Sequence, residues 1–122
     1  MYLHFNFHFP SYPLLMTTTP QLFDHEKLNV YGKTLEFIAW VTTILERVPK
    51  AMAVHNQLDR SSTSIPLNIA EGTGKFTAAD RCRYYDSARG SALECAASLD
   101  VLVAKRVLQP NEITEGKSCC AR

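Results

Sequence analysis

The chain has 122 residues, 46% of them hydrophobic and 20% charged, with a formal net charge of +1. That length fits one domain with one modest core. The near-neutral balance excludes a global field that would gather nucleic acid or anionic membrane, so any basic patch must be local.

No run approaches the roughly 20 apolar residues of a membrane-spanning helix. The N-terminus is apolar but lacks a basic start, which argues against a signal peptide. Tyr2 to Phe9 alternates apolar residues with His4, Asn6 and His8, a strand-like period. Prolines 10, 13 and 20 then forbid regular structure. Residues 1–23 are therefore expected to form a loosely ordered tail, and residues 24–122 the folded domain. Met16 offers an alternative start, which N-terminal sequencing of the native protein would test. His4 and His8 lack a third ligand and are read as an unstructured pair, not a metal site.

A first helix is predicted from Asp24 to Val48. Val30, Phe37, Val41, Ile44 and Val48 form one apolar stripe, with Tyr31, Leu35, Ile38 and Leu45 beside it. Asp24 can cap its start and Pro49 stops it. Trp40 is read as core or interface packing in preference to a base-stacking platform, since no other exposed aromatic is predicted to flank it.

A second helix is predicted from Ala51 to Ala70, its core line carried by Val54, Leu58, Ile65 and Ile69. Pro66 should kink it, and Gly72 and Gly74 end it. Arg60, Ser64, Asn68 and Glu71 fall in a band of about 80° opposite the core, interrupted by Leu67.

A third helix is predicted from Thr77 to about Val107. Thr77-Ala78-Ala79-Asp80 is a capping-box pattern. Tyr85, Ala88, Ala92, Cys95, Leu99 and Leu102 follow the 3-4 spacing of a bundle seam. Arg83, Asp86, Gly90 and Glu94 lie opposite. Gly90 sits mid-helix, where glycine costs about 1 kcal/mol against alanine. Gly90 and Leu67 point to a second covered surface, best supplied by another copy of the chain. After Pro110, Asn111 to Lys117 looks like the opening of a fourth helix that stops without an apolar face.

Little here suggests chemistry. Cys82 and Cys95 stand about 20 Å apart along one helix, too far to bond or to share a metal. Cys119-Cys120 lacks zinc-site spacing and lies near an end expected to fray. This usage fits a reducing cytoplasm. Gly72-Thr73-Gly74-Lys75-Phe76-Thr77 has one residue where a phosphate-binding loop needs four, and it follows a helix. It reads as a helix-to-helix turn. No serine, histidine and carboxylate constellation can be placed, and no inward Glu-x-x-His pair exists for a di-metal site. No catalytic residue, cofactor or metal is expected. For nucleic acid the candidate cations are Arg60, Lys75, Arg83 and Arg89, together with Arg81, and with Lys105 and Arg106 further along; they do not share one helix face.

Gln57-Leu58, Arg60, Ser64-Ile65-Pro66 and Asn68-Ile69-Ala70-Glu71-Gly72 resemble, position by position, the central motif of the 23S rRNA intervening-sequence family of four-helix-bundle proteins. Ala88, Gly90-Ser91 and Glu94 resemble its second motif, and Leu28, Val30 and Tyr31 the opening of its first helix. The resemblance spans about residues 24–117. It implies an all-α, up-and-down four-helix bundle that assembles as a homopentameric ring. The family is similar to the accessory protein of diversity-generating retroelements, a basic pentamer that binds reverse transcriptase and nucleic acid. RNA or DNA and a protein such as a reverse transcriptase are thus the implied partners. Ser64, Ile65, Pro66, Asn68, Glu71, Gly72, Gly90, Ser91 and Glu94 become signature and interface positions. The chain departs from the family in its near-neutral charge and in a fourth helix expected to be rudimentary. The function expected is a non-enzymatic assembly or accessory protein that binds RNA or DNA; the alternative is a protein-binding scaffold.

Overall fold

A computed structural model describes residues 20 and 22–121. The expectations for the N-terminal tail up to residue 19, including its strand-like alternation and the His4–His8 pair, lie outside the described residues. The described chain is all-helical: a short 3-10 turn over Asp24–Lys27, then α1 (Asn29–Leu45), α2 (Ala53–Thr73), α3 (Ala78–Ala104) and α4 (Pro110–Cys120). The central pair is α2 with α3; α1 packs on α2, α4 packs on α3, and α1 meets α4 to close the bundle.

The first helix starts later than Asp24. Glu26 is the reason: its carboxylate accepts the N–H groups of Leu22 and Phe23 at 2.6 and 2.7 Å. That stabilises a separate turn, within which Asp24 pairs with Lys27 instead of capping α1. From Asn29 onward the predicted stripe is the core face. Phe37, Val41 and Ile44 are buried, and so is Val48 just beyond the helix. Tyr31, Leu35, Ile38 and Leu45 are half-buried.

The second helix carries a run of hydroxyls in its body. Ser61 and Ser62 are buried. Ser61 Oγ donates to the Gln57 carbonyl at 2.7 Å and Ser62 Oγ to the Asp59 carbonyl at 3.0 Å. Bonding back to the preceding turn lets polar side chains face a core without an orphan group. Ser61 also lies 3.1 Å from Cys95 Sγ, a polar link between α2 and α3. Helix α2 continues through the buried Pro66. Gly72 is where α3 comes closest: a Cβ there would lie 2.9 Å from Tyr84 Cβ and from Tyr85 Cε1.

The capping residue Thr77 accepts the Asp80 N–H at 3.1 Å and opens α3. The 3-4 seam of α3 is the centre of the core: Ala88, Cys95, Leu99 and Leu102 are fully buried. The helix ends at Ala104, earlier than Val107, because Arg106 takes a left-handed conformation with φ 59°. Val107 N–H then folds back onto the Leu102 carbonyl at 3.0 Å.

The fourth helix is short, as expected, but it does carry a buried face. Ile113, Gly116, Cys119 and Cys120 are buried, so the expectation of a helix without an apolar face is corrected. Apart from Ile113 the face is made of glycine and thiols, small and weakly apolar, and Gly116 allows α4 to approach the indole of Trp40. Cys119 and Cys120 are accordingly core residues in place of a frayed pair.

Candidate functional site

The signature residues of α2 and α3 divide into an inner and an outer group. Ile65 and Pro66 are buried and Gly72 sits at the helix crossing. Ser64, Asn68 and Ser91 join in a half-buried clasp across α2 and α3. Ser91 Oγ donates to Ser64 Oγ at 3.0 Å, while Asn68 Nδ2 donates to the Ser64 carbonyl at 2.8 Å and to its hydroxyl at 2.9 Å. Ser64 therefore meets α3 directly and Asn68 is tied to it through Ser64, while both still border the outer stripe. The helical periodicity of α2 by itself carries no information on which flank α3 approaches.

Arg60, Glu71, Gly90 and Glu94 remain outside. Between Arg60, Leu67 and the clasp runs a shallow groove also lined by Asp59 and Thr63. Leu67 is 63% exposed. A Cβ at Gly90 would meet nothing within 4 Å, so nothing inside the described chain requires glycine there. Arg60, Arg89 and Glu94 make no ion pair among the described residues.

The four candidate cations do not converge. Lys75 and Arg83 line one hollow with Asp80, Tyr84 and Ser87. Arg60 lies thirteen residues before Thr73, the last residue of α2, about 20 Å along the helix axis at 1.5 Å per residue, and Lys75 follows beyond that end. Arg89 is six residues beyond Arg83 and turned from it by about 120°. Lys75 Nζ stands 4.8 Å from the Tyr84 ring centroid and 3.7 Å from Glu71 Oε1. Hydrogen bonding to Tyr84, ahead of the charge of Glu71, raises its pKa above the ordinary lysine value. The sequence reading did not single out Phe76 or Tyr84, which stand beside these cations; an aromatic directly after a lysine in a helix-to-helix turn was the available signal.

The groups with large pKa shifts are buried thiols. Burial pushes Cys95 up to about 11 and Cys120 up to about 12, and Cys119 upward as well. Such thiols stay protonated at neutral pH and are poor nucleophiles and metal ligands. No group of three or more His, Cys, Asp or Glu side chains that could hold a metal is found among the described residues. No helix of the described residues is long and apolar enough to cross a membrane.

The sequence profile of the 23S rRNA-intervening sequence protein family matches residues 26–122. The chain belongs to that family. The match runs from the capping Glu26 through all four helices, so the short α4 lies within the family's own span. No curated protein matches the chain.

Proposed function

We propose that this family member is a non-enzymatic, oligomeric helical-bundle protein, an assembly or accessory factor that binds RNA or DNA weakly through surfaces repeated around a ring. The observation that carries it is the outer face of α2 and α3. Leu67 is 63% exposed there, and Gly90 opens on space that no other described part of the chain fills. Inner signature residues hold the hairpin together, which leaves the outer ones available to a neighbouring copy. A pentamer is the assembly implied by the family resemblance. Chemistry is not favoured, since the most perturbed groups are protonated, buried thiols.

A second reading, a protein-binding scaffold with no nucleic-acid role, is favoured by the +1 net charge and the scatter of the cations. Size-exclusion chromatography with light scattering, read together with the 260/280 absorbance ratio, separates the two. The expected result is a pentamer that carries nucleic acid released by rising salt. A pentamer free of nucleic acid supports the scaffold. A monomer overturns the ring.

A further inference from the structure

We propose that the α2–α3 connection is a binding tip for single-stranded nucleic acid, with Phe76 stacking on an unpaired base while Lys75 and Arg83 take the adjoining phosphates. This inference rests on the nucleic-acid half of the function proposed above and gives it a location and a ligand class.

Phe76 is 98% exposed, the most exposed large hydrophobic side chain among the described residues. An aromatic ring wholly in water on a loose loop would mean little, but this connection is braced. Arg81 Nη1 donates to the carbonyls of both Lys75 and Phe76 at 2.9 Å. Thr77 caps α3 immediately afterwards, and Lys75 N–H closes onto the Gly72 carbonyl at 3.1 Å. The ring is thus presented from a backbone fixed on both sides, so little conformational freedom is lost when a partner stacks on it.

The chemistry around the ring selects the partner. Lys75 and Arg83 open into the adjoining hollow with Tyr84 and Ser87. Each has an acidic neighbour, Glu71 and Asp80, but at 3.7 Å and in exposed settings. Pairs of that kind are weak and readily exchanged for phosphate oxygens. Aromatic stacking combined with cations along the backbone is how proteins hold single strands without reading sequence, and this tip offers one such stacking position. A duplex keeps its bases stacked on one another and has no face to offer Phe76. A membrane contact would call for further apolar residues, whereas the flanking residues are Gly74, Lys75 and Thr77.

Fluorescence anisotropy with fluorescein-labelled oligouridine and a matched RNA duplex tests this on the full chain. Single-strand binding should exceed duplex binding, and Phe76→Ala should weaken it roughly tenfold or more. Lys75→Gln with Arg83→Gln should reduce the salt slope by roughly 1 to 1.5. All three side chains are exposed or partly so, and circular dichroism verifies that the variants fold. If single-strand binding survives Phe76→Ala and the double substitution, the tip is overturned while the nucleic-acid reading stands on another surface. If the wild type binds neither oligonucleotide, both fail. Sedimentation with phosphatidylglycerol vesicles, lost in Phe76→Ala and without oligonucleotide binding, overturns the proposal in favour of a membrane contact.

Discussion

Single residues set how closely the helices approach. A Cβ added at Gly116 would run into Cη2 and Cζ3 of Trp40, a stiff, half-buried indole that also stacks on Phe37 at 5.8 Å. Gly116→Ala must therefore push α4 off α1 or displace the indole. Overpacking costs about 1–3 kcal/mol, partly offset by the roughly 1 kcal/mol that alanine gains over glycine in a helix, and urea denaturation monitored by Trp40 fluorescence measures the net loss. A midpoint raised by helix propensity alone would mean that α4 does not pack on Trp40. Gly72 imposes the same limit between α2 and α3, but against Tyr84 Cβ, which cannot swing aside as a side-chain tip can. These two glycines lie inside helices and have negative φ values. Size, and not backbone freedom, is what their positions demand.

At the scale of elements, the amphipathic helices and the Thr77 cap of α3 were legible, while the start of α1 and the end of α3 were not. The α3 seam could be read because Ala88, Ala92, Cys95, Leu99 and Leu102 keep a strict period, which a bundle converts directly into a core. The start of α1 was misplaced because two carboxylates competed for one turn and Glu26, not Asp24, took the free N–H groups. The buried face of α4 escaped notice because Ile113 is its one large apolar side chain; the rest is a glycine and two thiols near an end expected to fray. That helix is also held electrostatically. The Glu112 carboxylate accepts from Arg47 Nη1 and from the Gln109 N–H, each at 2.6 Å, tying the start of α4 to the end of α1. The Arg47 hydrogen bond, followed by the Gln109 N–H, holds Glu112 below the ordinary glutamate pKa. A carboxylate whose folded pKa is the lower one stabilises the fold above its unfolded value of about 4.3. That contribution is lost as pH falls through the folded value. Glu112→Gln should therefore melt below the wild type at neutral pH, with the gap closing progressively below about pH 4. Melting curves across that range check it, and a gap that persists in acid would show that the carboxylate charge is not what matters.

For the molecule as a whole, the signature run was legible as a unit, but its division of labour was not. Ser64 and Asn68 looked like surface polar groups on a wheel, yet the approach of α3 draws them into a clasp with Ser91. Leu67 and Gly90 stay outside, and they are the residues a lone bundle has least reason to keep. Gly90 allows the assembly to be tested by two effects of opposite sign. Within one subunit, no described residue beyond the helix's own turn comes within 4 Å of a Cβ at this position. Gly90→Ala should then stabilise α3 by about 1 kcal/mol through helix propensity alone. Where a second copy packs its backbone against this glycine, the same methyl group overfills the contact at a cost of about 1–3 kcal/mol. That corresponds to weaker association by roughly tenfold or more. We expect both at once: a higher urea midpoint at low protein concentration, where subunits are separate, and a shift of the assembly equilibrium toward dissociation in sedimentation equilibrium. Stabilisation with an unchanged assembly mass and affinity would place this stretch of α3 in solvent and move the subunit contact elsewhere.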